Sequence, residues 1–88
     1  MSYQVLIHPK VARAIKELPK AHKIRLSMLI DTLKNNPIPF KKFDVKKLKG
    51  QRDRFRVRLG NFRLTYEVDK KEKLVMLLKL ERRGKAYE

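Results

Sequence analysis

The sequence predicts an α+β fold, β-α-α-β-β-β-β, with two N-terminal helices packed as a hairpin on one face of a mostly antiparallel twisted sheet. Three observations lead there. Apolar residues recur at helical spacing between positions 10 and 35, arginine alternates strictly with apolar residues from Arg54 to Leu59, and residues 74–80 (LVMLLKL) form a nearly unbroken apolar run of strand length. Helices with an apolar stripe need a surface to cover, and alternating strands provide one.

Residues 3–8 (YQVLIH) read as a short strand, punctuated by His8-Pro9. Proline is well tolerated at the first position of a helix, so His8 is a strand end or a helix cap. Val11, Ala12, Ile15 and Leu18 mark a first helix over 10–18, ended by Pro19. A second helix over 20–35 buries Leu26, Leu29, Ile30 and Leu33, with Ile24 and Met28 on its flanks, and Asn35-Asn36-Pro37 stops it. Residues 37–43 (PIPFKKF) form an ordered loop stiffened by its prolines, with Phe40 packing locally. DVKKLKG is a short strand ending at Gly50, DKKEK at 69–73 is a turn, and LVMLLKL is a strand buried on both faces. The tail ERRGKAYE shows no periodicity. There is no repeat or linker, so residues 1–88 are read as one domain.

The central hairpin carries the chemistry. Side chains in a strand alternate between faces, so Phe55, Val57 and Leu59 share one face and Arg54, Arg56 and Arg58 the other. Gly60-Asn61 suits a two-residue hairpin turn, because both residues tolerate positive φ. That turn pairs Leu59 with Phe62, Arg58 with Arg63, Arg56 with Thr65, and Arg54 with Glu67. Tyr66 faces the core. Like charges directly across a ladder are destabilising, on the scale of ~0.2–1 kcal/mol, so an anion is expected between Arg58 and Arg63.

The totals agree. With 24 basic and 9 acidic residues the formal charge is +15, and residues 41–63 alone contribute +8. Such a charge favours nucleic acid, an anionic membrane or an acidic protein as partner. No cysteine is present, which excludes disulfide and thiolate chemistry. No apolar run has the length of a signal peptide core or a membrane span, so the expectation is a cytoplasmic protein with no membrane partner.

On the arginine face fall Arg54, Arg56, Arg58 and Arg63, with Lys47 and Lys49 expected from the preceding strand. Arg82, Arg83, Lys85 and Tyr87 can fold back from the tail. Arginine forks suit phosphate oxygens. A phenol among cations ionises more readily than in water; Tyr87 could take a proton from a ribose 2′-hydroxyl or stack on a base. His8 and His22 lie away from this face, no carboxylate pair is expected on it, and no ligand cluster or phosphate loop occurs. The chemistry expected needs no cofactor and no metal.

These residues resemble a known family. KLKGQRDRFRVRLGNFRLTYEV, residues 47–68, is similar to the core signature of the RelE toxins in the RelE/ParE superfamily, and YQVLIHPKVARAIKELPK and ERRGKAY are similar to its two ends. The resemblance is closest to archaeal members. It implies a type II toxin that binds the A site of the 30S ribosome and cuts mRNA: the 2′-hydroxyl attacks its own 3′-phosphate, leaving a 2′,3′-cyclic phosphate and a 5′-hydroxyl. Carried over, the catalytic positions are Arg56, Arg58, Arg63, a tail arginine that is Arg82 or Arg83, and Tyr87.

Known members carry lysine where this chain has Arg56 and Arg58. Arginine holds its proton too tightly to transfer it, so both can only position phosphate and stabilise charge. The burden of general base shifts to Tyr87, and the acid for the leaving group is unassigned. Lys41, Lys42, Lys46, Lys47, Lys49, Arg52, Arg54, Arg83 and Lys85 are the cations for RNA or ribosome contact. Plain solubility is the competing reading for Lys41, Lys42, Lys46 and Lys47, and pairing with Glu67 for Arg54. The resemblance also implies a RelB-like antitoxin, a monomeric free toxin and a higher-order complex with the antitoxin. Two competing functions are inhibition of DNA gyrase, as in the ParE branch, and RNA or ribosome binding without chemistry.

Overall fold

The computed structural model describes residues 2–50 and 53–82, and the backbone of 85–86. Its elements are β1 (Gln4–Ile7), α1 (Pro9–Lys16), α2 (Lys20–Asn35), β2 (Asp44–Lys47), β3 (Arg54–Leu59), β4 (Phe62–Asp69), β5 (Leu74–Arg82) and β6 (Lys85–Ala86). The sheet runs β1-β5-β4-β3-β2, with β1 parallel to β5 and the other neighbours antiparallel. The two-residue β6, in a tail expected to be irregular, folds back against the end of β5.

Each helix starts and stops for a local reason. The His8 Nδ1 accepts from the Lys10 N–H at 3.1 Å, capping α1 ahead of Pro9. The Pro19 carbonyl accepts from the His22 and Lys23 N–H groups at 3.0 Å and opens α2. The inward stripe of α1 is Val11 and Ala14, with Ile15 beside it, and the buried Leu18 extends that face just past the helix. Ala12, expected on that stripe, is exposed, because it lies about 100° around the helix from Val11. In α2, Leu26, Leu29 and Leu33 are buried, Ile30 packs beside them, and Ile24 and Met28 point outward.

The hairpin supplies the opposing surface. Phe55, Val57, Leu59, Phe62, Leu64, Tyr66 and Val68 join the helical leucines in one core, completed by Val45, Val75, Leu77 and Leu80. Gly60 has φ +61° and Asn61 has not crossed to positive φ, which fits the single left-handed position of a type II′ turn. Tyr66 is fully buried, and its hydroxyl donates to the Pro37 carbonyl at 2.9 Å. That bond ties the proline loop to the sheet. In the loop, Ile38 and Phe43 pack on the core, whereas Phe40, expected to pack, is 59% exposed.

Strand β5 departs from expectation in a way that decides the site. It is fully buried on one face only, through Val75, Leu77 and Leu80. Regular alternation from Val75 and Leu77 would send Lys79 and Glu81 into the core. Instead Thr65 pairs with Lys79 and Tyr66 with Leu77, so Leu78 is an extra residue. This β-bulge resets the phase, turning Leu80 inward and Lys79 and Glu81 outward.

Candidate functional site

Directly paired residues of an antiparallel ladder project from the same face, so the register lays out the open face in rows. Across β2, β3, β4 and β5 the first row reads Asp44, Arg58, Arg63, Glu81, and the second Lys46, Arg56, Thr65, Lys79. Arg54 and Glu67 follow in the third. All four hairpin arginines therefore share one face, in the expected pairings.

Their surroundings differ. The Arg54 Nε donates to Glu67 Oε1 at 2.9 Å, with the side chains 43% and 31% exposed, an ion pair worth ~0.2–1 kcal/mol. Lys79 pairs with Glu81 at 3.6 Å. Among the described residues Arg56, Arg58 and Arg63 are in no ion pair. The Arg63 Nε is buried and meets no acceptor among the described residues, at a desolvation cost of ~1–3 kcal/mol. Asp44, Lys46, Arg56 and Arg58 line one shallow depression, with Arg63 one strand further in.

Several sequence-level placements change. Lys47 pairs with Phe55 and so lies on the helix side; Lys46, opposite Arg56, is the lysine that β2 brings to the open face. Lys49 sits in the exposed turn after β2. Arg82 pairs with Phe62 and is likewise on the helix side, because the bulge at Leu78 reverses the phase that would have put it on the open face. Lys41 and Lys42 line a separate groove of about 690 Å³ with Asp31, Asn35 and Phe40. Arg52, Arg83, Tyr87 and the Lys85 side chain lie outside the described residues.

The sequence reading also missed carboxylates. Asp44 and Glu81 flank the Arg58–Arg63 pair from either side, and no carboxylate stands between the two arginines. A signal for Asp44 was available: Val45 is the sole apolar residue of DVKK, so turning it inward must turn Asp44 and Lys46 outward. Burial pushes the Tyr66 phenol above its ordinary range, a consequence of its place in the core.

Such a face can grip phosphate oxygens with guanidinium forks. Comparison with known proteins agrees with the fold and the signature. The family model described as the ParE toxin of type II toxin–antitoxin systems matches residues 5–87. RelE1 of Methanocaldococcus jannaschii is 42% identical over 87 residues, covering 99% of this chain and 97% of that protein. RelE in the crystal structure of the archaeal RelE–RelB complex from Pyrococcus horikoshii superposes with a TM-score of 0.87 at 45% identity, covering 98% of this chain and 100% of that one. The isolated Escherichia coli RelE toxin shares the fold, with a TM-score of 0.73 at 19% identity over 92% of this chain and 84% of that one. The chain belongs to the RelE/ParE family of toxins from type II toxin–antitoxin systems.

Proposed function

We propose that this toxin is a ribosome-dependent mRNA endoribonuclease of the cytoplasm, acting in the 30S A site and held in check by a RelB-like antitoxin. The observation that carries the reading is the Arg58–Arg63 pair: among the described residues, two adjacent cations without ion-pair partners, one with a buried donor that meets no acceptor. An RNA phosphate supplies what both need. Arg63 and Arg58 hold the scissile phosphate and neutralise the charge that grows in its pentacoordinate transition state, while Arg56 and Lys46 bind the flanking backbone. Tyr87 is the tail group that the family resemblance brings to the site, as base or as stacking platform. The RelB partner of the Pyrococcus protein supports a cognate antitoxin here, and the +15 charge favours an acidic one.

The family model's description favours a second reading, gyrase inhibition as in the ParE branch. One experiment separates the two. Purified protein is added to a translating extract and the 5′ ends of the message are mapped, with gyrase supercoiling assayed in parallel. Codon-positioned cuts support the nuclease, and Arg63→Ala should slow them by about 10²–10³-fold while ribosome association persists. An intact message, or cutting by Arg63→Ala at the wild-type rate, overturns the assignment.

A further inference from the structure

We propose that Asp44 is the general base that takes the 2′-hydroxyl proton, an assignment that rests on the RNA-cleavage reading. Metal-free cleavage by an internal nucleophile needs a proton acceptor beside the phosphate grip, and guanidinium groups cannot serve. Among the described residues the other acceptors are engaged or elsewhere. The His8 Nδ1 caps α1. The His22 ring packs edge-on against Phe62, 4.6 Å between centroids, on the helix side of the sheet. Glu67 is held by Arg54, and Glu81 by Lys79.

Asp44 differs from all of these. It is exposed, forms no ion pair and accepts no hydrogen bond among the described residues. It stands directly opposite Arg58 and shares the depression with Lys46, Arg56 and Arg58. Among the described residues those three cations are the charged groups that face it; β2 is the edge of the sheet, so no further strand crowds it from outside. A phosphate gripped by Arg58 brings its own ribose within reach of that carboxylate. The register is set by the core, since Val45 opposite Val57 must point inward.

The step balances without a cofactor. The Asp44 carboxylate removes the 2′-hydroxyl proton as the 2′-oxygen bonds to the adjacent phosphorus. The bond from phosphorus to the 5′-oxygen breaks with its electron pair, and that oxygen takes a proton from water. The products are a 2′,3′-cyclic phosphate and a 5′-hydroxyl, and the carboxylic acid returns its proton to solvent. Tyr87 is then free for its other reading, stacking on a base.

The test is single-turnover cleavage of ribosome-bound message as a function of pH, with wild type, Asp44→Asn and Asp44→Glu, each verified as folded by circular dichroism. Asp44→Asn should slow the chemical step by about 10²–10⁴-fold, leave ribosome affinity unchanged or tighter, and abolish the acid limb of the pH–rate profile. Asp44→Glu should restore part of the rate and the limb. If wild type cuts and Asp44→Asn cuts equally well with its acid limb intact, Asp44 is not the base. A wild type that leaves ribosome-bound message whole overturns the nuclease reading and this assignment together.

Discussion

Gly60→Ala tests whether the arginine pairs are aligned by a turn that only glycine can make. Gly60 has φ +61°, and a Cβ built on it would lie 2.7 Å from His22 Nε2. The left-handed backbone costs an L-residue ~1–2 kcal/mol. The clash adds a second cost, because the His22 ring cannot swing away freely: it packs against Phe62, which is itself in the core. Forcing a methyl into such a contact costs ~1–3 kcal/mol. Alanine gains back ~0.4–1 kcal/mol by restricting the unfolded chain, which leaves a net loss of ~1–4.5 kcal/mol.

For a domain of this size, at about 4–8 °C per kcal/mol, that loss lowers Tm by roughly 4–36 °C. Urea denaturation followed by circular dichroism measures it. Repeating the substitution on a His22→Ala background separates the two costs, since the steric share should vanish and the backbone share remain. A Gly60→Ala protein within about 0.5 kcal/mol of wild type, the range of an indifferent surface substitution, would refute the backbone and steric accounts together. A full cost surviving in the His22→Ala background would refute the steric account alone.

Tyr66→Phe removes the hydroxyl that bonds the Pro37 carbonyl and should cost ~0.5–1.5 kcal/mol, read from the urea midpoint. The same residue sets an alkaline limit. Burial raises its phenol above the ordinary 10.0, so the folded chain keeps a proton that the unfolded chain releases. The stabilisation is complete below that ordinary value and is lost as pH climbs above it; a stability–pH curve of Tyr66→Phe should lack this decline. For Arg54 and Glu67, a double-mutant cycle should give a coupling of ~0.2–1 kcal/mol that shrinks with salt. A coupling well above that range would mean the pair is shielded from solvent, against its exposure.

The sequence by itself determined the two helices, the five longer strands and the hairpin. A two-residue turn is a short-range constraint: once Gly60-Asn61 closes it, Arg58 must meet Arg63 and Arg54 must meet Glu67, and both do. The helices were legible for a similar reason, through apolar spacing and the stops at Pro19 and Pro37. Tertiary packing decided everything joined by longer or irregular connections. Six residues, 48–53, separate β2 from β3, too many to fix the pairing as a two-residue turn does, so Val45 seeking the core chose the register that exposes Asp44 and Lys46 and turns Lys47 away. In β5, alternation alone would have buried Lys79 and Glu81. The cost of burying those charges is relieved by the extra residue Leu78, and the same shift carries Arg82 off the open face and sets Glu81 beside Arg63.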